Sequence, residues 1–169
     1  MNKNQGLTGG CNDVYELNGV LYVATGSQLG ISTDKGNTFI LKTSADGLGS
    51  SHCKAIFSDT SLLYVATGGG LSMSSDGGAS FYNKTESDGL GNDLCYDVYV
   101  KDGTIYVSDY SPENKAIYKL QNKTMTKWMG SGNLLGERPN GVWIKDDKLI
   151  IGTKEGTIFS VDQKSKKIS

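Results

Sequence analysis

Apolar and polar positions along this chain alternate in short runs, and the runs recur. Residues 21–39 read LYVATGSQLGISTDKGNTF, and residues 63–81 read LYVATGGGLSMSSDGGASF. Each copy holds an apolar run of strand length, a turn, a second short run and a Gly-bearing turn. The first full repeat opens GLTGGCNDVYEL, turns at Asn18-Gly19 and continues VLYVATG. It then turns through Ser27-Gln28, runs LGIST, turns at Asp34-Lys35-Gly36 and ends NTFILKT. Asn-Gly between two apolar runs is a strong hairpin signal. Each repeat therefore predicts four short strands, A to D.

The repeats keep a common register. Ile56 answers Val14, Tyr64 answers Tyr22, Asp76 answers Asp34 and Phe81 answers Phe39. Val98 and Tyr106 continue the series in the third repeat, and Val142 continues it in the fourth. The expected boundaries are 6–46, 47–88, 89–132 and 133–169. The third repeat departs after strand B, where YSPENK (110–115) replaces a short turn. In the fourth, strand D is barely present, and the terminal KSKK is expected to form a solvated outer strand.

Repeats of about 42 residues with four strands each predict an all-β fold, a β-propeller of four four-stranded antiparallel blades in one domain over 1–169. A lone twisted sheet cannot cover both of its apolar faces, and radial stacking of blades does so. Two closures remain open. The four blades either close on themselves, or form half of an eight-bladed propeller completed by dimerisation. A linear β-solenoid ranks third, because its coils are usually shorter.

Composition narrows function by exclusion. The net charge of -1 argues against a nucleic-acid partner. No apolar run reaches the roughly 18 residues of a membrane span, and the N-terminus MNKNQGLTGG shows no apolar signal segment. The three cysteines, Cys11, Cys53 and Cys95, fall at one repeat position, so they read as small strand residues. No second Cys or His lies two to four residues from any of them as in a zinc site, so no metal and no cofactor is expected. The NKT sequons at Asn83 and Asn122 matter only in a eukaryotic secretory pathway.

STDKGNTF (32–39) and SSDGGASF (74–81) resemble the Asp-box, S-x-D-x-G-x-T-[WF], or bacterial neuraminidase repeat; the second copy has Ser80 for Thr. The third and fourth repeats lack the box, and with GTIYVSD and LIIGTKEGTIFSV they look like propeller repeats of bacterial two-component-regulator sensors. Both resemblances imply a propeller. In the box, Asp34 and Asp76 are expected to accept backbone N–H groups across a turn, Gly36 and Gly78 to allow positive φ, and Phe39 and Phe81 to pack between strands. These roles are structural, and the resemblance implies that the boxes lie on the rim, away from any active centre.

Sialidases carry Asp-boxes, but their chemistry needs a cluster of arginines around the substrate carboxylate, and this chain has one, Arg138. A sialidase-like hydrolase is the disfavoured alternative. His52, the only histidine, precedes Cys53 directly, a poor geometry for a catalytic dyad. No catalytic residue is expected. The reading is a non-enzymatic binding or interaction module of a bacterial surface, secreted or sensor protein, extracellular or periplasmic, with a protein or glycan ligand and a possible homodimer. A lectin-like propeller is the alternative, with Tyr96, Tyr110 and Trp143 available to stack on sugars. By analogy with other propellers the ligand face is the one bearing the D–A connections and B–C turns. Its candidates are Asp109, Tyr110, Glu113, Arg138 and His52.

Overall fold

A computed structural model describes residues 6–59, 61–109, 115–121, 124–130, 132–134 and 136–168. Four consecutive antiparallel sheets follow one another along the chain. The first holds β1 (Cys11–Leu17), β2 (Val20–Thr25), β3 (Leu29–Ser32) and β4 (Ile40–Lys42). The second holds β5 (Cys53–Ser58), β6 (Leu63–Thr67), β7 (Gly70–Ser74) and β8 (Tyr82–Lys84). The third holds β9 (Cys95–Lys101), β10 (Thr104–Asp109), β11 (Ala116–Gln121) and β12 (Thr124–Met129). The fourth holds β13 (Pro139–Lys145), β14 (Lys148–Thr153) and β15 (Ile158–Asp162). Spatial order equals chain order in every sheet, as in propeller blades. The architecture is an all-β, four-bladed propeller.

Among the described residues the fourth blade has three strands rather than four. The terminal lysine-rich segment is a turn, not an outer strand. Asp162 Oδ1 accepts the backbone N–H groups of Lys164 (3.1 Å) and Ser165 (2.7 Å), and Lys166 takes φ 56°. The chain folds back to a single bridge between Val161 and Ile168.

Local chemistry sets the hairpins. Asn18 (φ 52°) and Gly19 (φ 82°) are both left-handed, the type I′ geometry that matches strand twist. Asp102-Gly103 and Asp146-Asp147 repeat it. After the outer strands of the first two blades, Thr43 and Thr85 open single 3₁₀ turns whose capping boxes close with Asp46 and Asp88. These turns end on left-handed Gly47 and Gly89. They aim Leu48 and Leu90 into the seams between blades, where both are buried. Leu134 fills the third seam.

The seams follow one rule. Each blade sends forward the apolar residues of its positions 15, 22 and 29, in first-blade numbers. The next blade answers with positions 11, 14, 21 and 23. Thus Tyr22 and Leu29 meet Cys53, Ile56, Leu63 and Val65 in the first seam. Tyr64 and Leu71 meet Cys95, Val98, Ile105 and Val107 in the second. Tyr106 and Ile117 meet Val142, Leu149 and Ile151 in the third. Tyr15, Phe57 and Tyr99 run across the blades with ring centroids 5.7 and 4.9 Å apart.

The innermost strands pack in series, β1 on β5, β5 on β9 and β9 on β13. Among the described residues no comparable packing returns from the fourth blade to the first. Val14 is 54% exposed although its equivalents Ile56, Val98 and Val142 are buried. At the other end Ile158 is 73% exposed although Leu29, Leu71 and Ile117 are fully buried, and Trp143 is 52% exposed.

Candidate functional site

The inner edge of the blades bounds an open polar cavity of about 410 Å³. The first residues of the four innermost strands line it: Asn12 and Asp13, Lys54 and Ala55, Tyr96 and Asp97, and Asn140. Asn12, Lys54, Tyr96 and Asn140 hold one repeat position, so two amides, an ammonium and a phenol converge where the repeat brings the strands together. Each strand is irregular there, with register breaks at Cys11/Asp13, Cys53/Ala55 and Pro139/Gly141. Such irregularities re-aim side chains.

The floor is fixed by carboxylates. Asp13 accepts the N–H of Val14 (2.8 Å) on one oxygen and that of Ile56 on the next blade (2.7 Å) on the other. Asp97 does the same with Val98 (2.8 Å) and Val142 (2.7 Å). Loss of hydration raises the Asp97 carboxyl to about 6, and the charge of Asp13 adds to the effect, against the lowering by its two N–H donors. Asn12 Nδ2 donates to the Cys53 carbonyl (2.7 Å). Lys54 Nζ sits 4.7 Å above the Tyr96 ring, a cation–π contact at the cavity wall. A rigid acidic floor beneath an ammonium, an aromatic face and two amides can hold a polar ligand by several directed contacts.

Of the expected ligand residues, His52, Asp109 and Arg138 are described, and none of the three lines this cavity. His52 and Arg138 share a repeat position, immediately before β5 and β13. His52 is exposed, with its imidazole lowered by partial burial and by Lys54. Arg138 Nε donates to Glu155 Oε1 (2.7 Å), and its backbone N–H donates to Glu155 Oε2 (2.9 Å). These bonds hold Glu155 near 2. Asp109 is fully buried at the end of β10, paired in register with Cys95. Tyr110 and Glu113 lie outside the described residues, as does most of the YSPENK insertion. Asn122 lies outside them too.

The turn aspartates act on their own loops. Asp34 accepts from Ser32 Oγ (2.7 Å), Thr38 N (2.9 Å) and Thr38 Oγ1 (2.7 Å), which lower its carboxyl to about 2. Asp76 accepts from Ser74 Oγ (2.7 Å), Ser80 N (2.9 Å) and Ser80 Oγ (2.6 Å), and is lowered likewise. Gly36 and Gly78 take φ 85° and 93°. Phe39 and Phe81 are half-buried, each close to its turn glycine. Burial pushes the Cys53 thiol up to about 12 and raises Cys95 as well, which removes thiolate character from both.

The sequence placed the ligand face at the loops and singled out Tyr96 as a sugar-stacking candidate, but not its repeat equivalents Asn12, Lys54 and Asn140. The signal was present. Asn12, Lys54, Tyr96 and Asn140 change between amide, ammonium and phenol from repeat to repeat while their neighbours Val14, Ile56, Val98 and Val142 stay aliphatic. A variable polar position beside an invariant apolar one marks a surface that the fold leaves free.

No protein-family model matches the chain, and no curated protein matches it. Solved structures do. The extracellular domain of the putative hybrid two component system BT4673 from B. thetaiotaomicron is 22% identical, with a TM-score of 0.75 over 94% of this chain. The chain spans 24% of that one, about a quarter of its length. The computationally designed Ika4 protein is 10% identical, with a TM-score of 0.68 over 95% of this chain and 98% of that one. YCF48 bound to D1 peptide is 13% identical, with a TM-score of 0.61 over 90% of this chain and 50% of that one. At these identities the likeness is one of fold. The neighbours include extracellular sensor domains and propellers, and no helix among the described residues is long and apolar enough to cross a membrane.

Proposed function

We propose that this chain is a non-enzymatic binding module, one propeller domain of a bacterial surface, secreted or sensor protein, working outside the cytoplasm. One observation carries the reading. Four repeat-equivalent residues of three polar kinds, Asn12, Lys54, Tyr96 and Asn140, line one cavity together with Asp13 and Asp97, whose carboxylates are tied to the backbone. Support for a role without turnover comes from the same side chains. Both oxygens of Asp97 accept backbone N–H groups, the buried thiols are raised, and Arg138 is paired with Glu155. The turns at Asp34 and Asp76 are read as Asp-boxes in a structural role. A homodimer belongs to this reading, because the cavity is bounded by blades on one side.

The carbohydrate-binding alternative is favoured by Tyr96, whose ring and nearby ammonium present the stacking and hydrogen-bonding pair that sugar rings use. A thermal-shift screen of oligosaccharides and small polar metabolites tests both readings. A ligand at this cavity stabilises the wild type and loses at least about tenfold in affinity with Tyr96→Ala or Lys54→Ala. Hits that ignore both substitutions place binding elsewhere. Steady release of fluorophore from a fluorogenic sialoside would overturn the non-enzymatic reading.

A further inference from the structure

Repeat arrays that end in solvent carry polar outer faces on their terminal repeats. This array does not. Its last blade ends on exposed Trp143 and Ile158 and half-buried Ile150, at the positions that every earlier blade packs into the next seam. Its first blade begins on exposed Cys11 and Val14 and half-buried Leu21, positions that every later blade buries in the preceding seam; the fourth such position, Val23, is already covered. The two open faces are thus the two halves of one seam that is already built three times within the chain. Solvent-exposed apolar faces of this kind mark an interface.

We infer that a second copy of this chain docks end to end, the fourth blade of each copy on the first blade of the other, and closes an eight-bladed ring. Three details of the ends fit this occupant. Tyr15 Oη donates to the Ser58 carbonyl across the first seam (2.7 Å). Trp143 holds the position of Tyr15, and Glu16 holds that of Ser58, so the indole N–H faces the Glu16 carbonyl of the other copy. Asn12 donates to the Cys53 carbonyl, and Asn140, its equivalent, is exposed with Cys11 as the matching acceptor on the other copy. The floor also alternates. Asp13 and Asp97 reach forward to the next blade, whereas Ala55 and Gly141 stand at that position in the second and fourth blades. Val98, which follows the Ala55 blade, gives its N–H to its own Asp97. Val14 likewise gives its N–H to its own Asp13, as a residue preceded by the Gly141 blade should. Ring closure therefore continues a two-blade alternation without a break.

The inference rests on the binding-module reading in one respect: the closed ring would complete the cavity, with each copy supplying half of its wall. The assembly itself is tested without any ligand. Light scattering on the wild type is expected to give a mass near twice 18.1 kDa. Val14→Glu and Trp143→Lys lie on exposed faces, so each is expected to halve the mass while leaving the far-ultraviolet circular dichroism unchanged. Mixing the two variants restores the doubled mass, since one seam of the pair is then wild type and the other joins opposite charges. Cys11 labelling supplies a second readout. It is slow in the wild type and at least tenfold faster in either variant, while Cys53 and Cys95 stay unreactive. A wild-type mass of one chain, a larger assembly, or variants that keep the doubled mass would overturn the ring. A ring that forms but binds nothing would instead count against the binding module.

Discussion

Asp34 and Asp76 show how little of a repeated motif needs to be functional. Each carboxylate gathers one backbone N–H and two hydroxyls from its own loop, and Ser32 and Ser74 then accept the N–H of Gly36 and Gly78 (2.8 Å each). The sign of the pH dependence follows. A carboxyl lowered from about 3.8 to about 2 adds stability above its ordinary value and loses it as pH falls toward 2. Asp34→Ala is therefore expected to lower the urea midpoint at pH 7 and to approach the wild type as pH falls to 2. A midpoint gap as wide at pH 2 as at pH 7 would contradict this account. Close approach is the other residue-scale constraint. A Cβ on Gly69 would lie 2.1 Å from the Gly49 carbonyl oxygen, and backbone on both sides leaves no room to yield. Gly69→Ala should cost about 3 kcal/mol in urea unfolding, with Gly132→Ala, whose Cβ meets nothing, as the neutral control.

At the scale of blades, burial and repeat position separate cleanly. Leu71 and Ile158 occupy equivalent positions on β7 and β15, the first fully buried and the second largely exposed. Leu71→Ala should cost about 2–5 kcal/mol through lost burial and a cavity. Ile158→Ala should leave urea stability within about 0.5 kcal/mol when the protein is dilute enough to be monomeric. It should weaken the paired state at higher concentration. Equal costs for the two at both concentrations would mean that the end blade is covered some other way. Strands and turns were legible in the sequence because their chemistry is local. Asn18-Gly19 and Asp102-Gly103 need left-handed backbone, and apolar runs such as LYVAT sit between sheets. The weakness of the fourth blade's outer strand was legible, but the turn that replaces it at 164–167 was not, because it depends on Asp162 accepting backbone N–H groups rather than on propensity. The open ends were not legible either. Val14 and Ile56 are near-equivalent in sequence, and only packing distinguishes a covered position from a bare one.

For the whole molecule, the polar cavity exists because four strands start side by side, a relation that no segment of the sequence contains. Its residues are 42 to 44 positions apart, at Asn12, Lys54, Tyr96 and Asn140, and only the alignment of repeats brings them into one list. The cavity also gives the fold a pH response opposite to that of the turns. Asp97 is raised to about 6, chiefly by lost hydration and further by Asp13, and shares the cavity lining with Lys54 and Tyr96. A carboxyl raised in the folded state favours folding below its ordinary value, and that contribution disappears as pH rises through 6. Between pH 4 and pH 6, then, stability should fall with rising pH because of Asp97. Below pH 4 it should fall with falling pH, because Asp34, Asp76 and Glu155 lose their hydrogen-bonded charge. The expected profile peaks near pH 4. Urea midpoints taken at pH 2.5, 4, 5 and 7, at fixed protein concentration, trace it. Asp97→Asn should flatten the limb above pH 4 and leave the acid limb intact, whereas Asp34→Ala should act on the acid limb alone. A ligand that binds the cavity through a cation should lower the Asp97 carboxyl and move the upper limb to lower pH, so the same titration reports occupancy of the site before the ligand is known.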